Sequence, residues 1–258
     1  MATRVKIAAA ASLTDALQNM KAELLQLGIE EVEIFQDSSG YIVSRIIGES
    51  EPRIYPHIFM SAAIYPMNEL IAAGYVSAAA DVTNLLGNDL VLIKNKNHAL
   101  PVAINSFGEV TAANTAGVSI YIPQPEGDFK VPAGRYARDA FTIAGNWDSF
   151  VNNPVHFQDS NGEDIYNVRR ALKLVAESGS SAIGVVYRTD AMVNDNVEII
   201  AVADQSVNDS IIYPLAPINQ NMLPVEERTD PILVTAFVNF LKGAGLHYFT
   251  KLGFRVLI

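Results

Sequence analysis

The sequence predicts an α/β protein of two lobes, and three observations carry the expectation. Short apolar runs alternate with segments of helical period, the pattern of strands joined by covering helices. The alternation occurs as two sets, separated by a weakly patterned stretch from 96 to 116. The chain has 258 residues, 50 % of them hydrophobic and 18 % charged. That is the composition of a folded protein, and the length suits one large domain or two of roughly 100–150 residues each.

In the first set, RVKIAAAA at 4–11 reads as a buried strand. A helix is expected from Ser12, because Leu13, Ala16, Leu17, Met20 and Leu24 share one face at helical spacing. VEIFQ at 32–36 is a second strand, and SSGYIVSRII at 38–47 opens a second helix. HIFMSA at 57–62 is a third strand, and YPMNELIAAG at 65–74 a third helix stopped by glycine. NDLVLIKN at 88–95 is a strand.

In the second set, GVSIYIP at 117–123 is a strand, and VPAGRYARDAFTIAG at 131–145 is a helix announced by Pro132 and closed by Gly145. EDIYNVRRALKLVAESG at 163–179 is expected to be a helix with Ile165, Val168, Ala171, Leu172 and Val175 facing inward. SAIGVVY at 181–187, VEIIAVA at 197–203 and SIIYPLAPI at 210–218 are strands. A helix at about 230–243 and the segment YFTKLGFRVLI at 248–258 close the chain. Repeated strand–helix units imply mixed, mostly parallel sheets with helices on both faces.

Composition narrows the function. The net charge is −10 and the pI near 4.8, with no cluster of Lys and Arg, so nucleic acid is not an expected partner. The absence of cysteine removes disulfides, thiol nucleophiles and thiolate metal sites, and it fits an oxidising compartment. The histidines at 57, 98, 156 and 247 are scattered, so no metal held directly by protein ligands is expected. No G-x-S-x-G elbow, no phosphate-binding G-x-x-x-x-G-K-[ST] loop and no apolar run of about 18 residues occurs. The opening MATRVKI runs almost at once into the first strand and reads as no signal peptide. That suits either a cytosolic protein or a mature form with an added start methionine.

One stretch stands out. AAAASLTDALQNM, residues 8–20, spends a core strand on alanines and then places Ser12 at the break. Three other helix starts also open on small or polar residues: Ser38 and Ser39, Ala133 and Gly134 after Pro132, and the segment 163–168. Helix starts offer unpaired N–H groups and a partial positive charge, so several aimed together can hold an anion without Lys or Arg. The alternative for Ser12 and Ser38 is plain N-capping. For Tyr187 it is an aromatic at a strand end packing on the core.

AAAASLTDALQ, IFMSA, LLGNDLVLI, VPAGRYARDAF, NVRRALKLVAESGSSAIGVVYRTDA, YPLAP and FLKGAGLHYFTKLGF follow in this order over nearly the whole chain. Together they resemble the molybdate-binding proteins of bacterial ABC uptake systems, a class of periplasmic solute receptor. The resemblance implies the type II periplasmic-binding-protein fold: lobe one at 1–87 plus 217–258, lobe two at 88–216, and NDLVLI and IIYPLAP as the crossing strands. It implies a non-catalytic, monomeric receptor with no cofactor. Its ligand would be molybdate or tungstate, the only metal being inside that oxyanion. It also implies a periplasmic or lipid-anchored location and docking on a membrane permease. Carried over by motif, the ligand-binding residues are Ser12, Ser38 with Ser39 as its neighbour, Ala133 and Val168 through backbone N–H groups, and Tyr187.

Departures leave the ligand open. Asp37 precedes the serine pair where the family has small residues, and is expected to cap the 38–47 helix with its carboxylate turned away. His57 and Ala63 replace two acids of the family pattern, and VHFQDSNGED at 155–164 brings extra polar residues. The alternatives are a same-fold receptor for sulfate or an organic acid, a cytosolic ligand-sensing domain, and an enzyme on this fold. The last would need a nucleophile or acid/base pair, and the sequence offers none.

Overall fold

The computed structural model describes residues 4–112, 114–126, 131–148 and 154–258. The chain forms two compact units, lobe one from the residues up to Gly87 together with Ile212–Ile258, and lobe two from Asn88–Ile211.

Lobe one begins with β1 (Arg4–Ala10), in which Val5, Ile7, Ala8 and Ala9 are wholly buried. The expected continuous helix after it is broken into a 3-10 turn at Ala11–Leu13, α1 (Thr14–Asn19), α2 (Lys21–Leu24) and a second 3-10 turn ending at Gly28, φ +77°. Then come β2 (Glu31–Asp37), α3 (Ser39–Ile47), β3 (Ile58–Met60), α4 (Ile64–Ala72) and β4 (Thr83–Gly87), a strand the sequence reading did not foresee.

The chain then enters lobe two with β5 (Leu90–Asn95). It continues through β6 (Ser119–Tyr121), α5 (Pro132–Ile143), α6 (Val168–Ala176), β7 (Ala182–Tyr187), α7 (Arg188–Met192), β8 (Val197–Val202) and α8 (Gln205–Ser210). It returns to lobe one as β9 (Ile212–Pro217), α9 (Pro231–Lys242), α10 (Leu246–Thr250) and β10 (Arg255–Val256).

Lobe one is a sheet in the order β10-β4-β9-β3-β1-β2, and lobe two a sheet in the order β6-β7-β5-β8. Both are mixed. Parallel pairing joins β1 to β2, β1 to β3 and β6 to β7, and the other described pairings are antiparallel. Antiparallel pairing is therefore more common than the strand–helix alternation suggested. Helical crossovers give parallel neighbours, whereas β4, β5, β8 and β9 lie where the chain passes between the units. Of the stretches expected to cross, NDLVLI begins with lobe two at Asn88, and IIYPLAP spans the second passage, with Ile211 in lobe two and β9 in lobe one, so the boundary expected at 216–217 lies five residues earlier. The passages lie at Gly87–Asn88 and Ile211–Ile212.

One side of lobe one's sheet packs under α3 and α4 in a core that includes Ala8, Ile42, Val43, Ile46, Phe59, Met67 and Leu70. Each fully buried aliphatic or aromatic side chain there contributes about 1.5–3 kcal/mol of transfer free energy. In lobe two, Gly184 lets α6 lie close on β7, since a Cβ there would fall 2.7 Å from Val175 Cγ2.

The stretch after Asn88 is tied into lobe two at both ends. Leu90 N–H donates to Asn208 Oδ1 at 2.9 Å, and Arg188 bonds Asp89 through its N–H (2.8 Å) and its Nε (2.9 Å).

Candidate functional site

In lobe one, the strand register brings Ala10 beside Asp37 and Ala9 beside Met60. The residues that follow these strands therefore share one edge of the sheet. β1 lies between β2 and β3, and the chain turns to one side of β1 and then to the other. The crevice at the carboxyl ends of strands around such a switch is where open α/β sheets take ligands.

Ser12 sits there in the 3-10 turn, 4 % exposed, behind a wall of buried alanines at 8–11. Its Oγ lies 2.9 Å from the Tyr213 hydroxyl on β9. Ser38 is the N-cap of α3, its Oγ accepting the Tyr41 N–H at 3.3 Å. Ser39 is the first residue of α3 and wholly buried, and its Oγ accepts the Ala62 N–H at 3.0 Å. A hydroxyl that accepts still has its own proton to donate, so this bond leaves Ser39 able to donate elsewhere.

The expectation that Asp37 caps the helix is corrected: Ser38 holds that position. Asp37 is the last residue of β2, and its Oδ1 accepts the Ser38 N–H at 2.7 Å. A carboxylate one residue before the cap reaches the next amide, while the cap itself must reach two or three residues on.

In lobe two, Ala133 is the second residue of α5 and Val168 the first of α6, both buried. Tyr187 ends β7 and is 2 % exposed. Helix α6 starts at Val168 and not at 163: Asn167 caps it by accepting the Arg170 N–H at 2.9 Å. Ile165 fits the helical period but is extended, donating to Phe157 C=O and accepting from Gln124 N–H, both at 2.8 Å.

Gln124 in turn accepts the Val131 N–H at 3.1 Å, and Val131 is the N-cap of α5. One backbone ladder thus fixes the starts of α5 and α6 to each other. Gly134 is required at the junction, since a Cβ would lie 2.3 Å from Pro123 O.

These halves belong to a chain that matches the model of the bacterial extracellular solute-binding proteins over residues 5–255. The protein belongs to that family. Among curated relatives of this solute-binding protein is the molybdate-binding protein ModA of Haemophilus influenzae, 31 % identical over 214 residues, which are 83 % of this chain and 77 % of that one. ModA of Escherichia coli K12 is 29 % identical over 256 residues, covering 98 % and 89 %. The solved periplasmic molybdate-binding protein of Azotobacter vinelandii superimposes with a TM-score of 0.72 at 17 % identity, covering 98 % and 100 %. The fold is that of the type II periplasmic binding proteins.

The polar 155–164 segment of this solute-binding protein has a structural use. Asp159 accepts the Asn161 N–H at 2.8 Å and the Glu163 N–H at 3.1 Å, and it pairs with the Arg170 guanidinium. Burial works to raise its pKa, but those two amides and Arg170 together hold it below the usual carboxylate value. The pair closes the loop onto the first turn of α6.

His57 lies away from these donors, beside the start of β1. Its Nδ1 accepts the Lys6 N–H at 3.0 Å, and its Nε2 donates to Glu227 C=O at 2.8 Å. Burial pushes its pKa down, opposed by the Glu227 carbonyl and assisted by Lys6 and Arg4. Among the described residues, no three His, Asp or Glu side chains converge as a metal site.

The sequence reading did not find Tyr213, Asn167 or the Asp159–Arg170 pair. Asn167 had a signal, an Asn just before a helical run. Tyr213 opens the YPLAP stretch, but a tyrosine inside an apolar strand reads as core.

Proposed function

We propose that this solute-binding protein captures a tetrahedral oxyanion, molybdate or tungstate, and delivers it unchanged to the membrane permease of an ABC importer. The ligand would be received at the helix starts that each lobe offers. It would be held by the hydroxyls of Ser12, Ser38, Ser39 and Tyr187 and by the backbone N–H groups of Ala133 and Val168. The observation that carries the reading is the kind of donor each lobe offers. Ser38–Ser39, Ala133 and Val168 lie at the starts of helices α3, α5 and α6, and Ser12 is the middle residue of a 3-10 turn. All of these residues are buried, and none of them is Lys or Arg.

A fully ionised tetrahedral dianion only accepts hydrogen bonds, so a lining that can donate suits it. Charge-assisted bonds of this kind contribute about 1.5–3 kcal/mol each before ordering costs. The molybdate-binding relatives support the anion's identity. A place outside the cytoplasmic membrane, in the periplasm or on a lipid anchor, follows from the same family reading. The receptor acts as a monomer.

A thermal-shift screen with molybdate, tungstate, sulfate, phosphate and small organic acids tests the reading. Molybdate or tungstate at 100 times Kd adds about 2.7 kcal/mol of stability. For a chain of this size that raises Tm by roughly 5–10 °C. A shift with sulfate or an organic acid and none with either metal oxyanion would overturn the assignment.

A second reading has one observation in its favour, the Asp37 carboxylate on the Ser38 amide. A ligand carrying its own hydroxyl donor, such as a protonated or organic anion, could place that donor on Asp37. Such a ligand would stand out in the same screen.

A further inference from the structure

We infer that Tyr213 is a positioning residue for the ligand: its hydroxyl donates to Ser12 Oγ and so turns the Ser12 proton toward the bound anion. This rests on the oxyanion reading of the site and deepens it. The two oxygens are 2.9 Å apart, Ser12 is 4 % exposed and Tyr213 wholly buried, so bulk water does not arbitrate between them. A serine hydroxyl has one proton and two acceptor lone pairs. Between Ser12 and Tyr213, one hydroxyl must donate and the other accept.

The chemistry of the ligand decides which. An anion with no proton can only accept, so Ser12 contributes to binding only by giving its proton to the anion. It then has nothing to give Tyr213, and the phenol must be the donor. The phenol is also the more acidic of the two hydroxyls, which favours the same direction. The result is a chain, Tyr213 O–H to Ser12 O–H to anion, in which each bond polarises the next. Without the phenol, the serine hydroxyl rotates among its rotamers and one of its lone pairs is left unmatched in a buried setting.

The fold holds the phenol in place. Tyr213 lies on β9 opposite Leu86 of β4, and β9 is paired on its other side with β3. Its ring meets the edge of Phe254 at 5.3 Å and 84°. Phe254 meets Phe249 in the same way at 5.9 Å and 90°. Tyr213 is thus presented by the strand that re-enters lobe one after the whole of lobe two has been built.

A double-mutant cycle on the full chain tests this, with affinity for molybdate, tungstate and sulfate read by calorimetry and folding read by Tm. Tyr213→Phe keeps the ring and its packing, and is expected to weaken the anion that wild type binds by about 3- to 10-fold, one net hydrogen bond's worth. Ser12→Ala is expected to weaken it by about 10- to 100-fold. The double variant should bind no more weakly than Ser12→Ala alone, because without the serine hydroxyl the phenol has nothing to orient. A merely structural Tyr213 would instead lower Tm and weaken both backgrounds by the same factor. Equal losses in both backgrounds, or wild-type affinity for Tyr213→Phe, overturn the inference while the site reading stands. Wild type binding none of the three anions overturns the site reading and the inference with it. If Tyr213→Phe melts too low to titrate, replacing the tyrosines with the more acidic 3-fluorotyrosine supplies the answer: affinity should change more with Ser12 present than in Ser12→Ala, and an equal change in both overturns the inference.

Discussion

Asp37 places a carboxylate 2.7 Å from the Ser38 amide, at the edge where the reading puts a dianion. An amide occupied by an internal acceptor is not donated to a ligand, so under the oxyanion reading Ser38 would contribute through its hydroxyl. Asp37→Asn keeps an oxygen for that amide and removes the negative charge. At an effective dielectric of 20, a −1 and a −2 charge about 6 Å apart repel by about 5 kcal/mol. The variant should therefore bind molybdate at least as tightly as wild type, with Tm nearly unchanged; a marked loss of affinity with Tm intact would point to a ligand that donates to Asp37.

His57 gives a second residue-level expectation. Its folded pKa lies below the ordinary 6.5, chiefly through burial. Above that value both folded and unfolded chains carry it neutral, and its contribution to stability is complete. As pH falls through 6.5 the unfolded chain takes up a proton that the folded one resists, and stability is lost. Urea midpoints at about pH 7.5 and 5.5 should fall further apart in wild type than in His57→Asn, which keeps an acceptor for the Lys6 amide. An equal spread in the two would assign the effect to other groups. Residue-level detail was the least legible in the sequence. Which oxygen reaches which amide, at Asp37, Ser38 and Tyr213, depends on distances of a few ångströms set by strand register.

Elements were far more legible, because their signals are periodic and local. β1, β2, α3, α5 and α9 lie close to where apolar spacing and, for α5, Pro132 indicated them. The errors share a cause, tertiary bonds overriding local pattern. Ile165 matches the period of α6, yet its backbone is committed to Gln124 and Phe157. TNLLG of β4 has only two large apolar residues to mark it, and it forms a strand by pairing with β9 and β10. The glycine of VPAG now has a physical reason, since Pro123 O occupies the space of a Cβ. Gly134→Ala should cost about 1–3 kcal/mol by overpacking, measurable as a lower urea midpoint. Because Ala133 is the preceding residue, oxyanion affinity should fall with it; a variant as stable as wild type would mean the 123–125 backbone yields freely.

At the scale of the molecule, the charge works against the ligand. A protein of net charge −10 repels an approaching dianion, so the field that usually steers partners here slows them. Screening shortens from about 30 Å at 0.01 M salt to about 8 Å at 0.15 M. The association rate for molybdate, followed by stopped-flow fluorescence, should therefore rise across that range. A rate that falls with salt would reveal a local positive field strong enough to outweigh the net charge. The two-lobed organisation itself was legible as two sets of alternating strands and helices. The second passage, at Ile211–Ile212, lies five residues before the boundary expected at 216–217, because an apolar strand looks the same in either lobe.

The discontinuity of lobe one has a consequence for how the protein is made. On the ribosome, residues 88–211 emerge before 212–258, so lobe two is complete while lobe one still lacks β9, the strand that joins β3 to β4. The inserted lobe has its ends fastened within itself, Leu90 to Asn208 and Asp89 to Arg188, bonds that can form before the remainder emerges. Nascent chains arrested after Ile211 has cleared the exit tunnel should carry a protease-resistant lobe two beside a protease-sensitive amino-terminal segment. The segment of lobe one that precedes lobe two, up to Gly87, is thus the last to fold, with the bare edges of β3 and β4 waiting on the tail end of synthesis.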